Sequence, residues 1–265
     1  MMMSLDNTIW LASIVTEAAV VGLLLYRRVW RLLPLFCIYC GWDLLSNAGG
    51  FVSSQFFPAA YNFTTYLIQT GVDTVLQFAV LIELAWSILR PIRASLPRGA
   101  LVAISLLVLG LGAAIWPFAA VPQLAHLNWE GILFVRLEQT VSLLRIFFFV
   151  VLAGGSQWLS IGWRDRELQV ATGLGFYSLA SLGAAMLHAH QTTAAEYTHL
   201  NQALIASYIV AMMYWIFSFA QKEAERREFT PQMQNLLLAV AGVARADRAA
   251  LANASGSDRQ RRPKP

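Results

Sequence analysis

The sequence predicts an all-α integral membrane protein: a seven-transmembrane-helix bundle, N-terminus outside and C-terminus cytoplasmic, followed by a C-terminal amphipathic helix. Three observations lead there. The chain is 57% hydrophobic and only 13% charged, with a mean hydropathy of +0.55, where a soluble domain carries roughly 25% charged residues. Apolar residues gather into seven segments, about 8–26, 34–57, 63–89, 99–121, 134–161, 168–190 and 200–221. Each is near the ~20 residues that carry a helix across a ~30 Å hydrocarbon core. None alternates as the strands of a membrane barrel do.

The third observation is charge placement. Arg27, Arg28 and Arg31 follow the first segment; Arg90, Arg93 and Arg98 follow the third; Arg164 and Arg166 follow the fifth; Lys222, Arg226 and Arg227 follow the seventh. The other connections, "FFPAAYN", "PQLAHLNWE" and "QTTAAEYTH", contain no lysine or arginine. Basic connections stay in the cytoplasm, which sets the orientation and places the protein in the cell membrane. The net charge of +4 therefore reports topology and attraction to anionic lipid. No basic cluster sits on a foldable soluble domain, so nucleic acid is not an expected partner.

The segments differ in what they carry. The first has Glu17 at its centre, and the preceding "MMMSLDNTIW" lacks the basic region of a signal peptide, so the helix is expected to be retained. The second and third carry polar stripes down otherwise apolar helices, Tyr39, Asp43, Asn47, Gly50 and Ser54 in one and Tyr66, Gln69, Asp73 and Gln77 in the other. The fourth is free of ionisable residues. In the fifth, "LEQTVSLLRIFFFVV", Glu138 and Arg145 lie about 20° apart in helical projection with Ser142 between them. Arg136 points nearly the opposite way, toward the headgroups.

Beyond the seventh segment, Thr230 is a good N-cap and Pro231 suits a first helical turn. Leu236, Leu237, Val240, Val243 and Ala244 then recur at helical spacing. Residues 229–254 thus read as a cytoplasmic amphipathic helix for the membrane surface or a protein partner. The basic tail, 255–265, reads as disordered.

Several chemistries can be tested on the residues. Both lysines, Lys222 and Lys264, lie beyond the spans, so no intramembrane amine is available to form a Schiff base. Cys37 and Cys40 have a CxxC spacing, but two thiolates fall short of the four ligands a structural zinc takes. They read as small core residues. "LAGGSQW" around Ser156 lacks a histidine at its depth to serve as base. His126, His188, His190 and His199 all fall near the outer surface, where they could bind zinc or respond to pH. His188 and His190 point about 160° apart on a helix, so both reach one ion only if the helix frays. No cofactor is implied.

Depth and facing carry the functional reading. Glu17, Asp43, Asp73 and Arg145 fall near the bilayer midplane, with Glu138 on the face of Arg145. A charge there costs at least about 2.5 kcal/mol, so such residues face the bundle interior and pair. The first, second, third and fifth helices are expected to converge on a buried polar network in which Arg145 pairs with Asp73 or Asp43. The remaining acids must be protonated, hydrated or bound to something.

A non-enzymatic multi-pass protein fits this pattern, either a structural or interaction protein whose polar residues are interhelical glue, or a receptor or sensor. A proton- or cation-coupled transporter is the alternative, and a metal-dependent intramembrane hydrolase stands behind both. An open pocket in the outer half that reaches Asp73 and Arg145 would favour the active readings over scaffolding.

Overall fold

A computed structural model describes residues 5–56, 63–89, 99–119, 129–155, 165–188 and 194–221. Among these the chain is helical, without a strand: α1 (Leu5–Tyr26), α2 (Pro34–Phe56), α3 (Phe63–Ile88), α4 (Ala100–Ile115), α5 (Trp129–Gly155), α6 (Arg166–His188) and α7 (Ala194–Ala220). Six of these, all but α2, are long and apolar enough to cross a membrane. The 23-residue α2 is long enough, but Asp43, Ser46, Asn47 and its glycines dilute its apolar content. The amphipathic segment 229–254 and the tail lie outside the described residues. Helices α5 and α7 begin before the apolar segments do, because backbone hydrogen bonding continues through polar turns that hydropathy does not mark.

Helices α1, α2, α3, α5, α6 and α7 pack in that order as a ring that closes where α7 meets α1, and α4 lies outside it against α3 and α5. Composition explains the outlier. Helix α4 exposes Leu101, Val102, Leu106, Leu107 and Leu109 and buries little besides Val108 and Gly112. Val108 packs on Leu81 and Leu144. A Cβ at Gly112 would come within 3.1 Å of the Phe78 ring, so the glycine permits the close approach.

The two ends of the ring are built differently. Toward the Arg27 end the interior is apolar and filled, with Leu24, Leu33, Phe36, Leu84, Trp215 and Phe219 in one buried cluster. Phe36 meets Trp215 and Phe219 edge-on at 5.1 and 6.1 Å between ring centroids, a favoured aromatic arrangement. Gly173 lets α6 and α7 close up here, since a Cβ would overlap the Trp215 indole.

Polar side chains seal the helix termini at this end. Helix α1 stops where Arg28 takes up a left-handed conformation (φ 56°), and a short 3₁₀ turn, Val29–Arg31, leads to Pro34 at the start of α2. The first amides of α2 have no partner within the helix. Glu83 of α3 supplies one: Leu35 N–H donates to its Oε1 at 2.9 Å and Phe36 N–H to its Oε2 at 2.8 Å.

The C-terminus of α7 receives the opposite charge. Arg27 donates to the Ala220 carbonyl, and Arg166 donates to the carbonyls of Ser218 at 3.2 Å and Gln221 at 3.1 Å. Cations are favoured at a helix C-terminus. Arg166 belongs to a basic connection that the positive-inside rule places on the cytoplasmic side. It is buried, over the Phe219 ring, because those carbonyls and Gln169 take up its donors. Beside it Ser87 donates to the buried Glu167 at 2.7 Å.

Candidate functional site

Toward the Trp10 end the ring opens around a set of adjoining cavities. The largest, about 640 Å³, lies among α1, α2, α6 and α7 and is lined by Trp10, Ser13, Asp43, Asn47, Tyr177 and Tyr208, with Asn201 and Gln202 from the first turns of α7. A second, about 310 Å³, lies among α2, α3, α5 and α6, where Trp42, Gln69, Asp73 and Glu138 join Asp43, Asn47 and Tyr177. Below both is a smaller space of about 80 Å³ whose walls include Asp43, Asp73, Glu138 and Arg145. Asp43 and Tyr177 border all three.

Helix periodicity delivers these side chains. Asp43 and Asn47 are one turn apart on α2, Asp73 and Gln77 one turn apart on α3, and Glu138, Ser142 and Arg145 follow at intervals of four and three on α5. Gln77 donates to the Asp73 carboxylate on the same helix. Across the ring, Asn47 donates to Glu17 at 2.6 Å, and the Tyr208 hydroxyl donates to Asp43. Tyr208 is also edge-to-face with Tyr177 at 5.3 Å. One interhelical polar layer therefore joins α1 to α2, α2 to α7 and α7 to α6.

Four of the five acidic and basic residues singled out above meet on the 80 Å³ space, and Glu17 stands behind Asn47. The expected ion pair is absent: among the described residues no carboxylate lies within 4.0 Å of the Arg145 guanidinium. Its Nη1 donates to Ser178 at 3.4 Å, and its Nη2 is buried without a hydrogen-bond partner. The cavity holds the charges apart. It is polar enough to accommodate water between them, so Arg145 acts on Asp43, Asp73 and Glu138 through the space they share.

Glu138 also departs from expectation. It is not buried but exposed, onto the cavities rather than onto lipid. Arg136, expected to reach for headgroups, lies 5.7 Å over the ring of Trp116 beside α4. Cys37 and Cys40 are free thiols, and Cys40 belongs to the apolar cluster.

Among the described residues no group of three or more His, Cys, Asp or Glu is disposed to hold a metal ion. His126, His190 and the side chains of His188 and His199 lie outside the described residues. The residues alone gave no sign of Tyr177 and Tyr208, which wall the cavities; Tyr208 partners Asp43 and stacks edge-on against Tyr177. A half-buried tyrosine in an apolar helix gives no signal by itself; its partner is decided by another helix.

Comparison with protein-family models, with characterised proteins and with solved structures finds no match.

Proposed function

We propose that the protein is a receptor-like sensor of the cell membrane, with seven spans, an outside N-terminus and a cytoplasmic C-terminus, that takes up a small molecule from outside. The observation that carries the reading is the asymmetry of the ring. Its Trp10 end holds polar cavities reaching Asp73 and Arg145, and its Arg27 end is filled by Leu33, Phe36, Leu84, Trp215 and Phe219. Pure scaffolding has no need of that space, since interhelical hydrogen bonds serve as glue in a closed core.

Helix α7 is the element that reads the site. Asn201, Gln202, Leu204 and Tyr208 line the largest cavity, and the same helix ends in the arginine-held carbonyls of Ser218, Ala220 and Gln221. A ligand that shifts Tyr208 away from Asp43 biases the whole helix and, beyond it, the amphipathic segment 229–254. That segment meets anionic lipid or a protein partner through its apolar face. Ligand can shift such an equilibrium only through contacts that differ between the two states, and the Tyr208–Asp43 bond is such a contact.

The reading is tested by thiol accessibility. Cysteines at Asn201 and Leu204 are expected to react with a membrane-impermeant thiol reagent added to intact cells, and a cysteine at Leu84 is not. Protection of both Asn201→Cys and Leu204→Cys defeats the outward-opening pocket. Acid-coupled solute or proton uptake by the protein in liposomes, reduced by Asp73→Asn, decides for the transporter instead.

A further inference from the structure

We propose that the 640 Å³ cavity binds a small organic cation, with its ammonium group against Asp43 and its body between Trp10, Tyr177 and Tyr208. The assignment rests on the receptor reading above and names the ligand class for that same site.

Charge is the first argument. The 640 Å³ cavity carries Asp43 as its one charged wall residue, and the cavities that adjoin it carry Asp73 and Glu138 against Arg145. Glu17 adds a fourth carboxylate, almost wholly buried; one oxygen accepts from Asn47 and the other has no hydrogen-bond partner. A low-dielectric cleft lined by one sign of charge concentrates the opposite ion. Arg145 alone would suit an anion, but it is outnumbered and sits at the floor, beyond Asp43.

The kind of cation follows from geometry. An inorganic ion such as calcium needs six to eight oxygens converging at about 2.3–2.6 Å, and the acids here are too dispersed to surround one ion. An ammonium group needs less convergence, and its carbon body needs walls. Trp10, Tyr177 and Tyr208 supply aromatic faces that attract a cation as well as apolar surface, with Leu204 and Ile205 beside them. Tyr208 donates to Asp43, and an ammonium group arriving at that carboxylate competes with this bond. A volume of about 640 Å³ lies within the range of small-molecule sites.

The test uses the full chain in detergent or nanodiscs and measures binding calorimetrically. Probes are amines graded from ethylamine through phenethylamine to tryptamine, together with choline, each set beside neutral and anionic isosteres such as 2-phenylethanol and phenylacetate. At least one amine is expected to bind at least tenfold more tightly than its isosteres. Asp43→Asn should weaken that amine at least tenfold and Trp10→Ala several-fold. Where Asp43→Asn does not purify as a monodisperse protein, the ranking of amine against isosteres on the unaltered chain decides. Equal or tighter binding of the neutral or anionic isostere, still lost in Trp10→Ala, overturns the cation and leaves the receptor pocket standing. Absence of binding in all three charge classes overturns both.

Discussion

Tyr208 of α7 donates its hydroxyl to the carboxylate of Asp43 on α2, linking two helices that are not neighbours in the ring. Both residues line the 80 Å³ space beside Arg145. Tyr208→Phe keeps the ring and its contact with Tyr177 and removes only the donor. Interhelical hydrogen bonds in membranes are worth about 0.5–2 kcal/mol, so thermal unfolding in detergent should shift down modestly. An unchanged midpoint would mean the bond adds nothing to stability.

Arg145 is the next residue to vary. Because the cavity separates it from the acids, Arg145→Met should cost less than the roughly 3–5 kcal/mol that follows one-sided breakage of a direct buried pair. Coupling to Asp73→Asn and to Asp43→Asn should be similar and small, about 0.5–1 kcal/mol each, as for residues that share a cavity rather than a bond. Double-mutant cycles on thermal stability measure this. Strong coupling to one acid alone would restore the direct pair expected from the sequence.

Glu83 holds the first amides of α2 with both carboxylate oxygens. Glu83→Gln retains the shape but replaces one acceptor with a donor aimed at an N–H, and it removes the negative charge at the helix N-terminus. A loss of about 1–3 kcal/mol is expected, read as a lower unfolding temperature, with ligand binding at the far end of the bundle unaltered. Loss of binding without loss of stability would contradict the division of the ring into a filled end and an open one.

Two glycines of α6 should respond oppositely. Gly173→Ala puts a methyl into the Trp215 indole, whose Nε1 is held by the Gln169 carbonyl at 3.1 Å; overpacking of this kind costs about 1–3 kcal/mol. At Gly183 a Cβ meets nothing within 4 Å, and alanine there should be neutral or stabilising by up to about 1 kcal/mol through helix propensity. Equal effects at the two sites would show that the α6–α7 contact is looser than described.

Orientation is tested at the connections. With Cys37 and Cys40 replaced by alanine, cysteines at Ala60 and Thr193 should label from outside intact cells, and a cysteine at Ser95 should not. Labelling of Ser95→Cys would invert the bundle and put the cavities on the cytoplasmic side.

The helical, membrane-embedded character was legible because it depends on sums over residues. Apolar content and the cost of leaving backbone amides unpaired in lipid act the same way whatever the neighbours are, so composition and length suffice. The stripes of α2 and α3 and the shared face of Glu138 and Arg145 were legible for a related reason: helical periodicity fixes direction within one helix. What those faces meet depends on how six helices close into a ring. That closure placed a cavity between Arg145 and the acids where a bond was expected, left Glu138 open to it, brought Tyr208 to Asp43, and drew Arg166 inward onto the end of α7. Each of these is a contact between helices, set by packing at the scale of an ångström, and no property of a single helix contains it.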